Sequence, residues 1–165
     1  MAKTFTLIEA TTIGSGGASS ITFTSIPSTY TDLLLLHSTR GTSGGNTNVY
    51  IKFNNSTSNF TGVRLYGEAS IVYFDTEGRW CGFSNGAINT SNSFSNTSVY
   101  IPNYTGSDYK SFSVDSVATT DGSGVITALG AQLWSNSAAI NEITITPDNA
   151  YSQYSTAYLY GISNS

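Results

Sequence analysis

Apolar side chains recur at every second position along most of this chain, and the spacing of a helix face is not apparent anywhere. Val49, Ile51 and Phe53 alternate with Tyr50 and Lys52, Ile21 and Phe23 with Thr22 and Thr24, and Phe112 and Val114 with Ser111, Ser113 and Asp115. Successive side chains of a strand point to opposite faces, so this is the pattern of strands buried on one side. Further strands are expected at Phe5–Ala10, Val63–Gly67, Ile71–Phe74, Ser98–Ile101, Val125–Trp134, Ile143–Thr146 and Ala157–Ile162, giving roughly ten short strands. Leu33 to Leu36 lacks polar alternation and is expected to be a central strand covered on both faces.

Residues that cap their own backbone or tolerate positive φ punctuate these runs. They cluster at Gly14–Gly17, Thr42–Asn46, Asn54–Asn59, Asp121–Gly124 and Pro147–Asn149. Strands without intervening helices must bury their apolar faces in two layers or a closed barrel. The expected fold is all-β: residues 1–165 form a single two-sheet antiparallel β-sandwich, jelly-roll-like. An immunoglobulin domain is shorter and carries paired cysteines, whereas this chain of 165 residues has one Cys. No fixed-period repeat argues for a propeller or solenoid.

Charge excludes several functions. Six Lys and Arg against ten Asp and Glu leave a net charge of −4, with no basic footprint for nucleic acid or an anionic membrane. Only 10% of residues are charged, against about 25% in an average soluble domain. Disorder is excluded in turn by 11 Tyr and 8 Phe, which supply the area to offset chain entropy. The apolar patch ending at Glu9 is too short for the core of a signal peptide and reads as a strand, and Leu33–Leu36 is far too short to span a bilayer. Asn-x-Ser/Thr sequences at Asn54, Asn55, Asn59, Asn89, Asn96 and Asn103 follow from the abundance of those residues.

Side chains that do chemistry are scarce. His37 is the one imidazole and shares a strand face with Leu33 and Leu35, which favours a hydrogen-bonded core residue over a general base. Cys81 could pair with it as a nucleophile, but no flanking signature supports that. Neither a Cys/His pair at ligand spacing nor an Asp-rich calcium loop is present. Asp75-Thr-Glu77 and Asp121–Gly124 read as turns, and no metal, cofactor or catalytic residue is expected. A glycosidase would need two carboxylates facing one cleft, for which Glu68, Asp75, Glu77 and Asp115 are the candidates. Trp80 and Trp134 with Tyr66 and Tyr73 could form a sugar platform. Trp134 continues an apolar strand face, while Gly78-Arg-Trp-Cys-Gly82 reads as a loop, so a glycan site would rest on Trp80, Tyr73 and Asp75.

Three segments carry a likeness. Ser20-Ile-Thr-Phe-Thr-Ser-Ile-Pro-Ser-Thr-Tyr-Thr-Asp-Leu-Leu-Leu-Leu-His-Ser-Thr-Arg40, Ile101-Pro-Asn-Tyr104 and Ser155-Thr-Ala-Tyr-Leu-Tyr-Gly-Ile162 resemble small β-sandwich virion structural proteins of tailed bacteriophages. The resemblance spans nearly the whole chain. It implies a non-enzymatic component made in the host cytoplasm and carried on the virion, either a capsid decoration (cement) protein or a tail-associated one, and it singles out no functional residue. On the cement reading the chain sits on the capsid exterior, oligomerises as a trimer and binds the major capsid protein. On the alternative it is a receptor- or glycan-binding domain of a tail fibre or spike. Low charge and abundant Tyr suit such contacts, since little charge need be desolvated and Tyr buries area while keeping a polar tip.

Overall fold

A computed structural model describes residues 4–68, 70–121 and 124–163. Among these residues twelve strands, all paired antiparallel, form two sheets. In chain order they are β1 (Phe5–Thr12), β2 (Ile21–Phe23), β3 (Asp32–Ser38), β4 (Thr47–Phe53), β5 (Phe60–Glu68), β6 (Ile71–Asp75), β7 (Trp80–Ser84), β8 (Asn96–Ile101), β9 (Lys110–Thr119), β10 (Val125–Trp134), β11 (Ile143–Pro147) and β12 (Thr156–Ile162). The large sheet runs β1-β12-β3-β8-β9-β10-β5-β6 and the small one β2-β11-β4-β7.

This order is a jelly roll with two additions. Strands β1-β12-β3-β8 and β2-β11-β4-β7 are the two four-stranded sheets of a double Greek key, in which the chain crosses between layers at each step from one of these eight strands to the next except from β4 to β7. The hairpins β5–β6 and β9–β10 are inserted into that winding and prolong the large sheet beyond β8. The expected sandwich is therefore present, with twelve strands in place of about ten.

The core lies between the sheets. Leu33 and Leu35 of β3, Val99 and Ile101 of β8, Val49, Ile51 and Phe53 of β4, and Ile143 and Ile145 of β11 are all fully buried. Trp134 packs edge-on to Phe53, as its strand face predicts. Two expectations are corrected. Leu34 and Leu36 are only half-buried, so β3 is central to the large sheet yet covered on one face alone. The segment read as a loop at Gly78–Gly82 leads into β7, all five of whose residues are buried. Alternation vanishes there because β7 packs on β8, β9 and β10 of the large sheet, pairs along one edge with β4 and has every residue buried. Gly122 and Ser123 of the turn expected at Asp121–Gly124 lie outside the described residues.

Candidate functional site

Cross-strand register decides which side chains meet, because directly paired residues of an antiparallel sheet share a face. On the inner face one row reads His37, Thr97, Ser116, Ala128, Tyr66, Tyr73 from β3 to β6. The next reads Leu35, Val99, Val114, Gly130, Arg64, Asp75. Strand β7 is held over these rows. His37 Nε2 lies 2.9 Å from the Cys81 carbonyl, and Ser116 Oγ accepts the Phe83 amide at 3.0 Å while bonding Thr97 Oγ1 at 2.8 Å. A carbonyl only accepts, so the imidazole carries its proton on Nε2. Burial lowers the His37 pKa to about 4 and pushes the Cys81 thiol far up. The two residues thus touch through a main-chain atom, with the imidazole neutral and the thiol protonated, the reverse of what an activated thiolate needs.

The three residues of the expected glycan site are brought close together, but two are already committed. Arg64 donates to both Asp75 carboxylate oxygens, at 2.7 and 2.9 Å, and its guanidinium lies 5.5 Å above the Trp80 ring centroid. Trp80 is fully buried beneath it, in space left by Gly130, where a Cβ would stand 2.9 Å from the indole. Tyr73 stacks on Tyr66 at 4.8 Å and 16° and remains partly exposed. Beside this stack opens a cleft of about 450 Å³ bordered by Asn46, Asn48, Glu68 and Asp148. The sequence left Trp80 open between core and sugar platform; the structure puts it in the core, together with Cys81 and Phe83. Of the other carboxylates considered, Glu68 borders that cleft, whereas Asp115 stands on the opposite, outer face of the sheet.

That outer face was not legible as a unit. Its first row is Leu7, Tyr160, Leu34, Tyr100, Ser113, Ala131, Val63, and its second Ala10, Tyr158, Leu36, Ser98, Asp115, Leu129, Leu65, Phe74. A third brings Val117, Thr127, Gly67 and Val72 together. Leu7, Leu129, Leu65, Phe74, Val117 and Val72 are all exposed, Phe74 and Val72 by 68% and 70%. Ser111, Ser113 and Ala131 floor a trough of about 800 Å³ between Tyr100 and Val63.

Asp115 is the single charged side chain in these three rows. Four of the six cations are engaged elsewhere in the fold, Arg64 with Asp75 among them. Arg40 donates to four carbonyls of the 87–93 loop, Lys110 to those of Gly106 and Asp108, and Arg79 lies over Tyr50. Asp32, at the end of the face, accepts from Tyr100 Oη at 2.8 Å and from the Asn103 amide at 2.9 Å. At strand spacings of about 4.8 Å and about 3.3 Å per residue, eight strands present a face of roughly 35 by 20 Å. That is near the roughly 800 Å² each partner buries in a standard interface. Comparison with protein-family models, curated proteins and solved structures finds no match to this chain.

Proposed function

We propose that this chain is a non-enzymatic virion structural protein of a tailed bacteriophage, a capsid decoration or cement protein that stabilises the shell by lying against the major capsid protein. The observation that carries the reading is the outer face of the large sheet: broad, apolar and free of cations among its described residues. Water in contact with Leu129, Leu65, Phe74 and Val72 is released when protein covers them, and about 25 cal/mol is gained per Å² of apolar surface removed. Asp115 adds specificity. Covered by an apolar surface it would be a buried unpaired charge, so the partner supplies a Lys or Arg opposite it. The likeness of the Ser20–Arg40, Ile101–Tyr104 and Ser155–Ile162 segments to phage structural proteins supports a virion as the setting, where the cement reading makes the major capsid protein that partner.

The competing reading, a receptor- or glycan-binding tail domain, draws on the exposed Tyr73–Tyr66 stack beside the Asn46 and Asn48 cleft. Quantitative mass spectrometry of purified virions separates the two. Hundreds of copies per particle, with capsids that melt lower when the protein is missing and recover on adding it back, support the cement role. A few tens of copies or fewer, with capsid melting unchanged and polysaccharide bound, overturn it in favour of the tail.

A further inference from the structure

An exposed sheet edge is a template for another strand, and proteins ordinarily blunt it. Three of the four edges here are blunted. Strand β1 carries Glu9 and a bulge between Leu7 and Glu9, β2 has three residues, and β7 is buried along its whole length. Strand β6 has none of these devices. It has no Pro, no Lys and no bulge, it pairs only with β5, and Ile71, Val72, Tyr73 and Phe74 are consecutively exposed, so neither of its faces is covered. Its one carboxylate, Asp75, is neutralised within the chain by Arg64 at 2.7 Å.

We infer that β6 is the edge through which two copies of this chain pair, antiparallel about a two-fold axis, to make one continuous sixteen-stranded sheet. Residues opposite each other must share a face, so their numbers must sum to an even value, and centring the axis on Tyr73 engages all five residues of β6. Val72 then faces the second copy's Phe74 on the outer side. On the inner side Tyr73 meets its own counterpart, which extends the Tyr66–Tyr73 stack into a row of four rings. The strand is self-complementary in shape and its edge carries no net charge, so two copies meet without like-charge repulsion. Pairing also makes the apolar outer face continuous across the junction, because Phe74 and Val72 end its second and third rows. The symmetry builds a dimer, or an even-numbered assembly of dimers, in place of the trimer expected from sequence. Its biological meaning rests on the assembly role proposed above, but its test does not.

Sedimentation of the purified full chain from about 1 to about 200 μM, a range suited to interfaces below the standard size, reads the association directly. A monomer–dimer equilibrium is expected, with Val72→Lys weakening the dimer about tenfold or more and Leu129→Lys, at the centre of the outer face, leaving it intact. Amide exchange of residues 71–75 in the unaltered protein should slow with increasing concentration, which keeps the test independent of whether a variant folds. A wild-type monomer throughout, open-ended fibres, an oligomer abolished by Leu129→Lys but not by Val72→Lys, or exchange at β6 independent of concentration would each overturn the edge pairing. None of these results bears on virion copy number or capsid melting, so the two readings fail separately.

Discussion

The one histidine and the one cysteine of this chain are joined through a main-chain atom: His37 Nε2 donates to the Cys81 carbonyl at 2.9 Å. The bond crosses from β3 of the large sheet to β7 of the small one, and with Ser116 it anchors the strand that closes the sandwich. Its consequences are energetic and measurable.

Stability should depend on pH through His37. Its pKa falls from 6.5 in the unfolded chain to about 4 in the fold because burial disfavours the imidazolium. Between these values the unfolded state binds more protons, so the contribution is complete above about pH 6.5 and lost as pH falls towards 4. The difference is worth about 3 kcal/mol. Urea titrations at pH 7 and pH 4.5 should show most of that drop, about 2 kcal/mol. His37→Gln, whose amide can still donate to Cys81, should remove most of it, and an unchanged pH slope in the variant would assign the loss to other groups.

Cys81 should be inert to alkylation in the native state, since its thiol is fully buried and held protonated. Iodoacetamide labelling at pH 8 is expected only at the rate of unfolding and should accelerate with urea as the protein unfolds. Rapid labelling without denaturant would show that β7 opens locally.

Leu35 and Leu36 are adjacent but on opposite faces, the first fully buried and the second half-covered. Leu35→Ala should cost about 2–5 kcal/mol through lost transfer energy and a cavity, and Leu36→Ala about 1 kcal/mol or less. Equal losses in guanidinium unfolding would mean that the outer face of β3 is covered after all.

Gly130 leaves room for Trp80 between Val114 and Arg64. A methyl group there would stand 2.9 Å from two indole carbons, and the ring is too enclosed to retreat. Gly130→Ala should therefore destabilise by about 1–3 kcal/mol, as overpacking does, and alter the near-ultraviolet circular dichroism of the tryptophans. A stability gain would mean the indole has space that its contacts deny.

On the outer face, Leu129→Lys and Asp115→Asn should each change folding stability by no more than about 0.5 kcal/mol, because both side chains are exposed. Both should weaken attachment to capsids, Leu129→Lys by placing a charge in the apolar centre and Asp115→Asn by removing the carboxylate that answers the partner's cation. Capsid pull-down with the two variants measures this. Full attachment by both would remove the outer face from the interface.

Strand alternation is a local property, so the sequence alone determined an all-β sandwich, most of its strands, and the burial of Leu33, Leu35 and Trp134. The same local signal failed where the surroundings were not those of a half-buried strand. Trp80 to Ser84 does not alternate because all five residues of β7 are buried, and the glycines of Gly78–Gly82 give its start the look of a loop. The four leucines at Leu33–Leu36 suggested two covered faces, yet apolar side chains can stand on an uncovered one. Pairings across long sequence distances lay beyond any local pattern. His37 reaches Cys81 over 44 residues, and Leu7, Tyr158, Leu36, Leu129 and Phe74 become neighbours only through the registers of successive strand pairs. A strand's period of two fixes which residues share a side of that strand, but the order and register of its neighbours decide whether exposed residues lie scattered or form one surface.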